Sequence, residues 1–437
     1  MPDKNGTGLS VLVIGSGGRE HAVIRALKKS PEIETLYALP GNGGIAADAI
    51  CVPISALDLD SICTFAQDHR IDYAVVTPDD PLAAGCVDRL EEIGIPCFGP
   101  RRNAAIIESS KVFAKELMKK YGIPTAAYEV FTDVDSALSY LPTCSMPIVI
   151  KADGLALGKG VIIAKNLSEA EEAVRSMMVG HRFGHSGDRI VIEEYLTGPE
   201  VSVLSFTDGR TIIPMVSSMD HKRAGDGDTG LNTGGMGCIA PNPFYTPEMA
   251  DTCMQTIFLP TIRAMAEEGR PFRGCLYFGL MLTPQGPKVI EYNCRFGDPE
   301  TQTVLPLLQS DLFTILRATT DSCLDQVDVR FASDACCCVV LASKGYPESY
   351  EKGYPISIPN DVLPFTYVAG AALRPGAENP AELVTNGGRV LGVTATAPTL
   401  TEAVRLAYAR AQTVTFPNRF MRTDIGQRAL KSQEETV

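Results

Sequence analysis

No run in this chain approaches the ~18 consecutive apolar residues that a membrane-spanning helix requires. The opening stretch, Met1 to Ser10, is polar and contains glycine, with no apolar signal core, so the expected address is the cytoplasm. Positive charge is in deficit. The 39 Lys and Arg face 52 Asp and Glu, for a formal net charge of −13. That balance argues against a general nucleic-acid or membrane-surface binder, but it leaves room for a local basic pocket that takes an anionic metabolite. Histidine is scarce: the five residues at 21, 69, 181, 185 and 221 are too scattered to build a His-based metal centre. Cysteine is plentiful at 13, yet none form a C-x-x-C pair, and Cys336, Cys337 and Cys338 are consecutive. Such spacing supports neither a zinc site nor a disulfide framework, and reads as small buried hydrophobes in a reducing compartment. Internal repeats and low-complexity blocks are absent as well.

What is present is a chain of 437 residues, 45% hydrophobic and 21% charged, ordinary for a globular protein and long enough for about three domains. The first hundred residues alternate strand and helix. Ser10–Ile14, Thr35–Leu39, Tyr73–Val76 and Ile95–Phe98 read as strands, and 19–29, 59–69 and 81–93 as helices. This alternation predicts a doubly wound parallel sheet whose ligands bind at the carboxyl ends of its strands. A helix over Lys111–Tyr121 follows, capped by Ser109 or Ser110 and ended by Gly122 and Pro124. The central part changes to α+β character. Its expected strands are Ile148–Lys151, Val161–Ala164 and Ile190–Glu194, with a helix at 168–179 and hairpins around Asp208-Gly209 and Thr283–Gly286. A long helix spans about Pro247 to Glu268. A small α+β unit starts near Ala335, carries a helix at 401–414, and ends in a polar tail, Lys431–Val437, expected to be disordered.

The segment from Lys288 to Glu300 carries the strongest chemical signal. Glu291 and Asn293 are two apart on a strand and so point the same way. A carboxylate beside an amide carbonyl suits Mg²⁺, a hard ion that shares its oxygen ligands with substrate phosphates. Arg295, Asp298 and Glu300 follow at once, and such charges beside an apolar strand are costly unless paired or used. A solvated strand end fits these residues equally well when they are taken alone.

Four further segments favour anions. The turn Gly15-Ser16-Gly17-Gly18-Arg19 joins a strand to a helix, where backbone N–H groups and the helix dipole attract negative charge. It is not the dinucleotide fingerprint G-x-G-x-x-G, because the third glycine would fall at Glu20. Arg19 suits a phosphate monoester. The stretch Lys151–Gly160 places glycines and lysines between two strands. It reads as a phosphate-covering loop or as a flexible hairpin, but not as a Walker A loop, since Gly160 follows Lys159. The link 194–196 could offer backbone groups to a purine ring, and Glu200 a carboxylate to ribose hydroxyls; an exposed turn is the plain alternative. The polar, glycine-rich run from Asp220 to Gly237 reads as a substrate loop, with His221 more in keeping with a structural role than with a proton relay.

Together these segments resemble the ATP-grasp superfamily and, within it, the phosphoribosylamine–glycine ligases. The carrying motifs are GSGGREHA (15–22), PGN (40–42), ESSKVFAK (108–115), KADGLALGKGV (151–161), VIEEYLTGPEVS (191–202), MDHKR (219–223), NTGGMG (232–237), EYNCRFGDPE (291–300) and GGRVLGVTA (387–395). The resemblance extends from about residue 10 to 430. It implies an N-terminal Rossmann-like substrate domain (1–108), a central ATP-grasp fold (109–328) with a mobile lid at about 125–195, and a small C-terminal α+β domain (329–437). It implies ATP on Lys111, Lys151, Gly158, Lys159, Gly160, Glu193, Glu194, Tyr195, Leu196 and Glu200, and Mg²⁺, with Mn²⁺ as a substitute, on Glu291 and Asn293. Glycine and 5-phosphoribosylamine would meet Gly15, Gly17, Gly18, Arg19, Asn42, Asp220, Asn232, Thr233, Gly234, Gly235, Met236, Arg295, Gly297 and Asp298. Arg295, Asp220 and Lys222 would be the catalytic set.

The implied reaction phosphorylates the glycine carboxylate and then forms an amide with the sugar amine, without an enzyme nucleophile. The implied assembly is a monomer that makes transient contact with the preceding amidophosphoribosyltransferase. Four positions depart from the family pattern: Asp79 stands where Glu is usual, His185 where Asp, Leu231 where Pro, and Val368 where His. Three rivals remain. Another ATP-grasp ligase or carboxylase would differ in the 220–237 segment. A regulatory nucleotide binder would lack Glu291, Asn293 or Arg295, all of which are present. A nicotinamide oxidoreductase is disfavoured by the missing third glycine.

Overall fold

The structure, a computed structural model, describes residues 8–155, 160–374, 376 and 382–435. Its N-terminal part alternates as expected. β1 (Leu9–Gly15), α1 (Gly18–Leu27), β2 (Ile33–Pro40), β3 (Ile50–Cys51), α2 (Leu59–Asp68) and β4 (Tyr73–Val76) come first. α3 (Asp79–Ala84), α4 (Cys86–Glu92), β5 (Cys97–Phe98) and α5 (Arg102–Ser109) follow. The five strands form a parallel sheet in the order β3-β2-β1-β4-β5. The helix expected over 81–93 is two helices, because Gly85 takes a φ of +92°, a left-handed conformation that ends α3 and restarts the chain as α4. β3 and α5 carry no distinctive sequence pattern and are additions to the expected elements.

The central part begins with α6 (Lys111–Tyr121), capped by Ser110, whose Oγ accepts from the Phe113 N–H at 3.1 Å. β6 (Tyr128–Phe131), α7 (Val134–Tyr140), β7 (Ile148–Ala152), β8 (Val161–Ala164), α8 (Leu167–Met178) and β9 (Ile190–Glu194) follow. The strands make a sheet β6-β9-β7-β8 with its own apolar core, including Ile148, Ile150, Ala170, Val174 and Met177. Next come β10 (Glu200–Thr207), β11 (Ile212–Pro214), β12 (Met219–Asp220), β13 (Arg223–Gly225), β14 (Thr229–Asn232) and β15 (Gly237–Ala240). A continuous helical segment contains α9 (Pro247–Cys253), a π turn (Met254–Phe258) and α10 (Leu259–Glu267). The π turn precedes Pro260, which has no N–H to give to the preceding turn. β16 (Gly274–Thr283) and β17 (Gly286–Asn293) then pair with β10 and β11 in the order β11-β10-β16-β17.

After α11 (Glu300–Val304) and α12 (Leu312–Thr320) the last part holds β18 (Ala335–Ser343), β19 (Thr366–Val368), β20 (Ala371–Leu373), β21 (Leu383–Thr385) and β22 (Arg389–Ala397). α13 (Leu400–Thr413), β23 (Arg419–Phe420) and α14 (Gln427–Glu435) close the chain. Two sequence expectations fail here. The 220–237 segment is not an irregular loop. β13 and β14 form a two-stranded ribbon, and β12 and β15 join the last sheet, β12-β15-β18-β22-β19. The tail from Lys431 to Glu435 is helical, as part of α14, whose Ala429 packs into the core of that sheet. The last two residues of that expected tail, 436–437, lie outside the described residues.

Candidate active site

The sequence pattern of α6 puts Lys111 and Lys115 one turn apart on the same face. Lys111 donates from Nζ to the Gly154 carbonyl at 3.0 Å. Lys115 lies 2.9 Å from Glu193 Oε2, and Lys151 on β7 lies 3.0 Å from Glu193 Oε1. The side chains of Lys115, Lys151 and Glu193 are nearly inaccessible, at 3%, 6% and 3% exposed. Two lysines thus share one buried carboxylate, and Lys111, close enough to Lys151 to feel its charge, adds a third cation. Glu291, Glu108 and Asp153 lie close enough to Lys111 to offset part of this charge. Burial lowers the pKa of Lys111, and it brings Lys115 down to about 8 against the pull of Glu193. Asp153 fixes this corner. Its Oδ1 accepts from Val112 N and Ser110 Oγ at 2.7 and 3.0 Å, and Arg189 binds its other oxygen.

The Glu193 side chain is therefore a buried ion-pair partner inside β9, which leaves only backbone groups of this link for a purine ring, as the sequence reading had it. The Glu194 side chain is also taken, by Lys288 Nζ at 2.8 Å and the Ala127 N–H at 3.0 Å. Tyr195 (42% exposed) and Leu196 leave the ladder before β10 begins, so the backbone of that link is the part free for recognition. Glu200 opens β10 and lies 3.3 Å from Lys222 Nζ. Gly160 is buried, its carbonyl accepting from Ala152 N at 2.8 Å. Gly158 and Lys159 lie outside the described residues.

On β17 the Tyr292 side chain enters the core, its OH 2.9 Å from Thr261 Oγ1, while Glu291 and Asn293 are half-buried on the opposite side. A register shift against β16 leaves Ile290 unmatched between Val289 and Glu291. Burial raises the Glu291 carboxyl, but Lys222, Lys151, Lys111 and Arg295 outweigh it and leave the group below its usual range. An ionised carboxylate amid lysines, next to an amide, fits a divalent ion that completes its shell with phosphate oxygens and water. Among the described residues no three His, Cys, Asp or Glu side chains converge as a closed metal cage.

Arg295 is 19% exposed; its Nη2 lies 3.2 Å from Glu108 Oε1, and its Nε has no hydrogen-bond partner among the described residues. Burial pulls its pKa down, yet Glu108, Asp79 and Glu300 more than compensate and hold it charged. Asp79, one of the family departures, therefore contributes to the field around Arg295. Lys222 lies between Glu200 and Glu291, 3.6 Å from the latter, and its pKa is raised, chiefly by Glu200. Asp220 has a buried, unpartnered Oδ1 among the described residues, and burial and the neighbouring Glu300 push its carboxyl well above the usual range. Gly235 (φ +110°) gives Asp220 its room: a Cβ there would stand 2.5 Å from Oδ1. Gly297 does the same for Glu300, whose Oε2 occupies the place of such a Cβ.

Several expected substrate residues are occupied internally. In the Gly15–Gly18 turn Glu20 Oε2 accepts from the Gly17 N–H, and Glu20 Oε1 is bound by Arg19 Nε at 2.6 Å and lies 2.7 Å from Thr77 Oγ1. Arg19 also donates to the Phe296 carbonyl at 3.1 Å. Asn42 is saturated: Nδ2 donates to the Ser16 and Val368 carbonyls, both at 2.8 Å, and Oδ1 accepts from Gly44 N and Ile45 N, both at 2.9 Å. Met236 is completely buried, its N–H given to the His221 carbonyl at 2.9 Å. Asn232 pairs with Arg223 in the β13–β14 ribbon, and Thr233 folds back on the Lys222 carbonyl at 2.7 and 2.9 Å. Gly234 donates its N–H to Tyr346 OH at 2.9 Å.

His221 is structural. Its Nε2 accepts from Gly426 N at 3.0 Å, so the proton sits on Nδ1, 3.2 Å from the Gly237 carbonyl, and burial lowers its pKa to about 4. Of the other departures, His185 is solvent-exposed beside Asp188 at 3.0 Å, and Leu231 is exposed on β14. Val368 is buried, its N–H given to His21 Nδ1 at 2.8 Å. The sequence reading missed Lys115, Glu108, Glu20 and Arg389, although Lys111 spaced four residues from Lys115 was a legible signal for the first.

Three family models cover the chain: phosphoribosylglycinamide synthetase N domain over residues 9–108, its ATP-grasp (A) domain over 109–301 and its C domain over 336–428. The chain is 48% identical over 432 residues to the phosphoribosylamine–glycine ligase of Halalkalibacterium halodurans, spanning 98% of this chain and 100% of that one. It is 46% identical over 432 residues to the ligase of the same name from Vibrio vulnificus, with the same coverage of 98% and 100%. The crystal structure of the Thermotoga maritima phosphoribosylamine–glycine ligase superposes with a TM-score of 0.83 at 34% identity, over 95% of this chain and 100% of that one. A biotin carboxylase domain from Hydrogenobacter thermophilus, solved with magnesium ADP and bicarbonate, shares the fold at TM-score 0.72 and 18% identity, over 95% and 92% of the two chains. Three consecutive domain models and full-length relatives far above 30% identity agree with the lysine and carboxylate geometry: the chain belongs to the phosphoribosylglycinamide synthetase, or phosphoribosylamine–glycine ligase, family.

Proposed function

We propose that this site joins glycine to 5-phosphoribosylamine at the expense of ATP, giving glycinamide ribonucleotide, ADP and phosphate in purine biosynthesis. The observation that carries the reading is the cationic cluster of Lys111, Lys115 and Lys151 at Glu193, continued by Glu291 and Asn293 to Arg295. A glycine carboxylate oxygen attacks the γ-phosphorus, and the bond to the ADP oxygen breaks. The sugar amine then attacks the carbonyl of the resulting glycyl phosphate, phosphate leaves, and the amine releases a proton. The chain supplies position and charge. Lys111 and Lys151 face the triphosphate, the 195–196 link the adenine, Glu200 the ribose, and Arg295 the acyl phosphate. Glu291 and Asn293 would hold Mg²⁺, or Mn²⁺ in its place, which supplies charge neutralisation between the phosphates when bound. Asp220 and Lys222 border the acceptor side.

In this reading residues 1–108 carry the sugar-side turns, 109–328 the nucleotide site with a lid at about 125–195, and 329–437 the outer wall of the acceptor pocket. The β6-β9-β7-β8 sheet with its separate apolar core supports the lid assignment. No helix among the described residues is long and apolar enough to cross a membrane. A monomer working in the cytoplasm, in transient contact with the amidotransferase that supplies the amine, completes the proposal. The test is ADP release with ATP, glycine and freshly made phosphoribosylamine, omitting one at a time. Full ADP release without phosphoribosylamine, or none with all three present, refutes it.

A further inference from the structure

The proposed ligation uses the lysines, Glu291, Asn293 and Arg295, and leaves one buried amide without a role. Gln302 in α11 is 2% exposed. Its Nε2 donates to Asp298 Oδ1 at 2.7 Å, while its Oε1 is buried with no hydrogen-bond partner among the described residues. A buried polar group left half-satisfied is costly and needs a compensating reason. From the other side comes Arg389, the first residue of β22. Its Nη2 lies 3.4 Å from Asp298 Oδ2, and its Nη1 donates to the Asp298 and Gly234 carbonyls at 2.7 and 2.6 Å. The third side is the start of α1. A Cβ on Gly17 would stand 3.3 Å from Asp298 Oδ2, and one on Gly18 would stand 2.5 Å from Gln302 Nε2. A Cβ on Gly234 would stand 2.9 Å from the Arg389 guanidinium carbon.

Three segments far apart in sequence therefore close on one carboxylate, and a Cβ at Gly18 or Gly234 would press on the Gln302 amide or the Arg389 guanidinium. Burial raises Asp298, but Arg389, Arg19 and Gln302 outweigh it and keep the carboxylate ionised. The choice of amide has a physical reason. A Gln can donate to a carboxylate without adding charge, whereas a Glu at that distance would repel it and an apolar residue would leave it unbonded.

We infer that Gln302 and Arg389 are positioning residues for the acceptor half of the reaction: by holding Asp298 from two sides they set the Gly17–Arg19 turn and the Gly234–Gly235 turn against Arg295, and they leave the nucleotide site independent. This rests on the reading that those turns border glycine and phosphoribosylamine. The clamp includes none of the three lysines of the nucleotide site, so its loss separates kinetically from loss of ATP binding.

The experiment measures steady-state kinetics of the full chain with each substrate varied in turn, for wild type, Gln302→Glu, Gln302→Met and Arg389→Lys. Wild-type ADP release that does not depend on glycine and phosphoribosylamine defeats the functional reading itself. Given that dependence, Gln302→Glu should lower kcat/KM for phosphoribosylamine about tenfold or more, the scale of a lost hydrogen bond to a charged group. The KM for ATP should stay unchanged. Activity should recover in part toward acid pH, as the introduced carboxyl and Asp298 come to share a proton; Gln302→Met should show the loss without that recovery. Should both Gln302 variants fail to fold, Arg389→Lys decides by the same split, since lysine lacks the planar fork that reaches the two carbonyls from Nη1 and the carboxylate from Nη2. Equal changes for ATP and phosphoribosylamine, a lowered melting temperature with unaltered kinetics, or no acid recovery in Gln302→Glu overturns the inference.

Discussion

Replacing Glu193 by Gln removes the one negative charge between Lys115 and Lys151 while keeping the side chain's shape. The contacts broken are 2.9 and 3.0 Å long, and each of the three side chains is at most 6% exposed, so water cannot replace them. Removing one partner of a buried pair costs about 3–5 kcal/mol. At about 2–4 °C per kcal/mol for a cooperative unit of 150–250 residues, the melting temperature should fall by roughly 6–20 °C near neutral pH. The pH dependence has a definite sign. Lys115 sits at about 8 already, below the ~10.4 of a free lysine. A lysine with a depressed folded-state pKa costs stability in full below that pKa, and the cost fades as pH rises toward the unfolded value. Without Glu193 the largest influence raising Lys115 is gone, so its pKa falls further and the cost at neutral pH grows. The gap between variant and wild type should therefore narrow as the pH is raised from about 7.5 to 10, where the lysine is neutral in both. A non-hydrolysable ATP analogue should close part of the gap, because its phosphates bring negative charge to the same lysines. The assay is thermal melting over that pH range with and without the analogue. A melting temperature within about 2 °C of wild type at neutral pH, or a gap that does not change with pH, refutes the reasoning.

Three other outcomes are expected. Glu291→Ala should lose most turnover while melting near the wild-type temperature, since the side chain is half-exposed and its partner Lys222 keeps Glu200; full activity at saturating Mg²⁺ refutes the metal assignment. Arg295→Ala should lower the rate of the chemical step far more than it raises any KM, because its target charge develops during transfer, and pre-steady-state ADP formation measures this. Binding of an ATP analogue should slow amide hydrogen exchange in peptides spanning Lys151 to Val161 and leave α13 unaffected; equal exchange with and without nucleotide speaks against a closing lid.

Elements that depend on local pattern were legible in the sequence. Tyr73–Val76, Lys111–Tyr121, Val161–Ala164 and Ile190–Glu194 stand where apolar runs and caps placed them, because strand alternation and a Ser110 cap are properties of neighbouring residues. Glu291 and Asn293 facing away from Tyr292 is likewise a consequence of strand period alone. Tertiary structure decided the rest. It turned the 220–237 segment into strands by pairing β13 with β14 and by giving β15 the edge of β18, and it carried α14 through Lys431 to Glu435. It also chose the partners of the charges. Glu193 became a buried counter-ion for two lysines, Glu20 took the Gly17 N–H and Arg19 Nε, and Asp298 was enclosed by Gln302 and Arg389. The sequence could show that these charges exist, and a family resemblance could say which chemistry they serve. Which carboxylate neutralises which cation depends on distances between segments up to hundreds of residues apart, and a distance of that kind is set by packing rather than by local pattern.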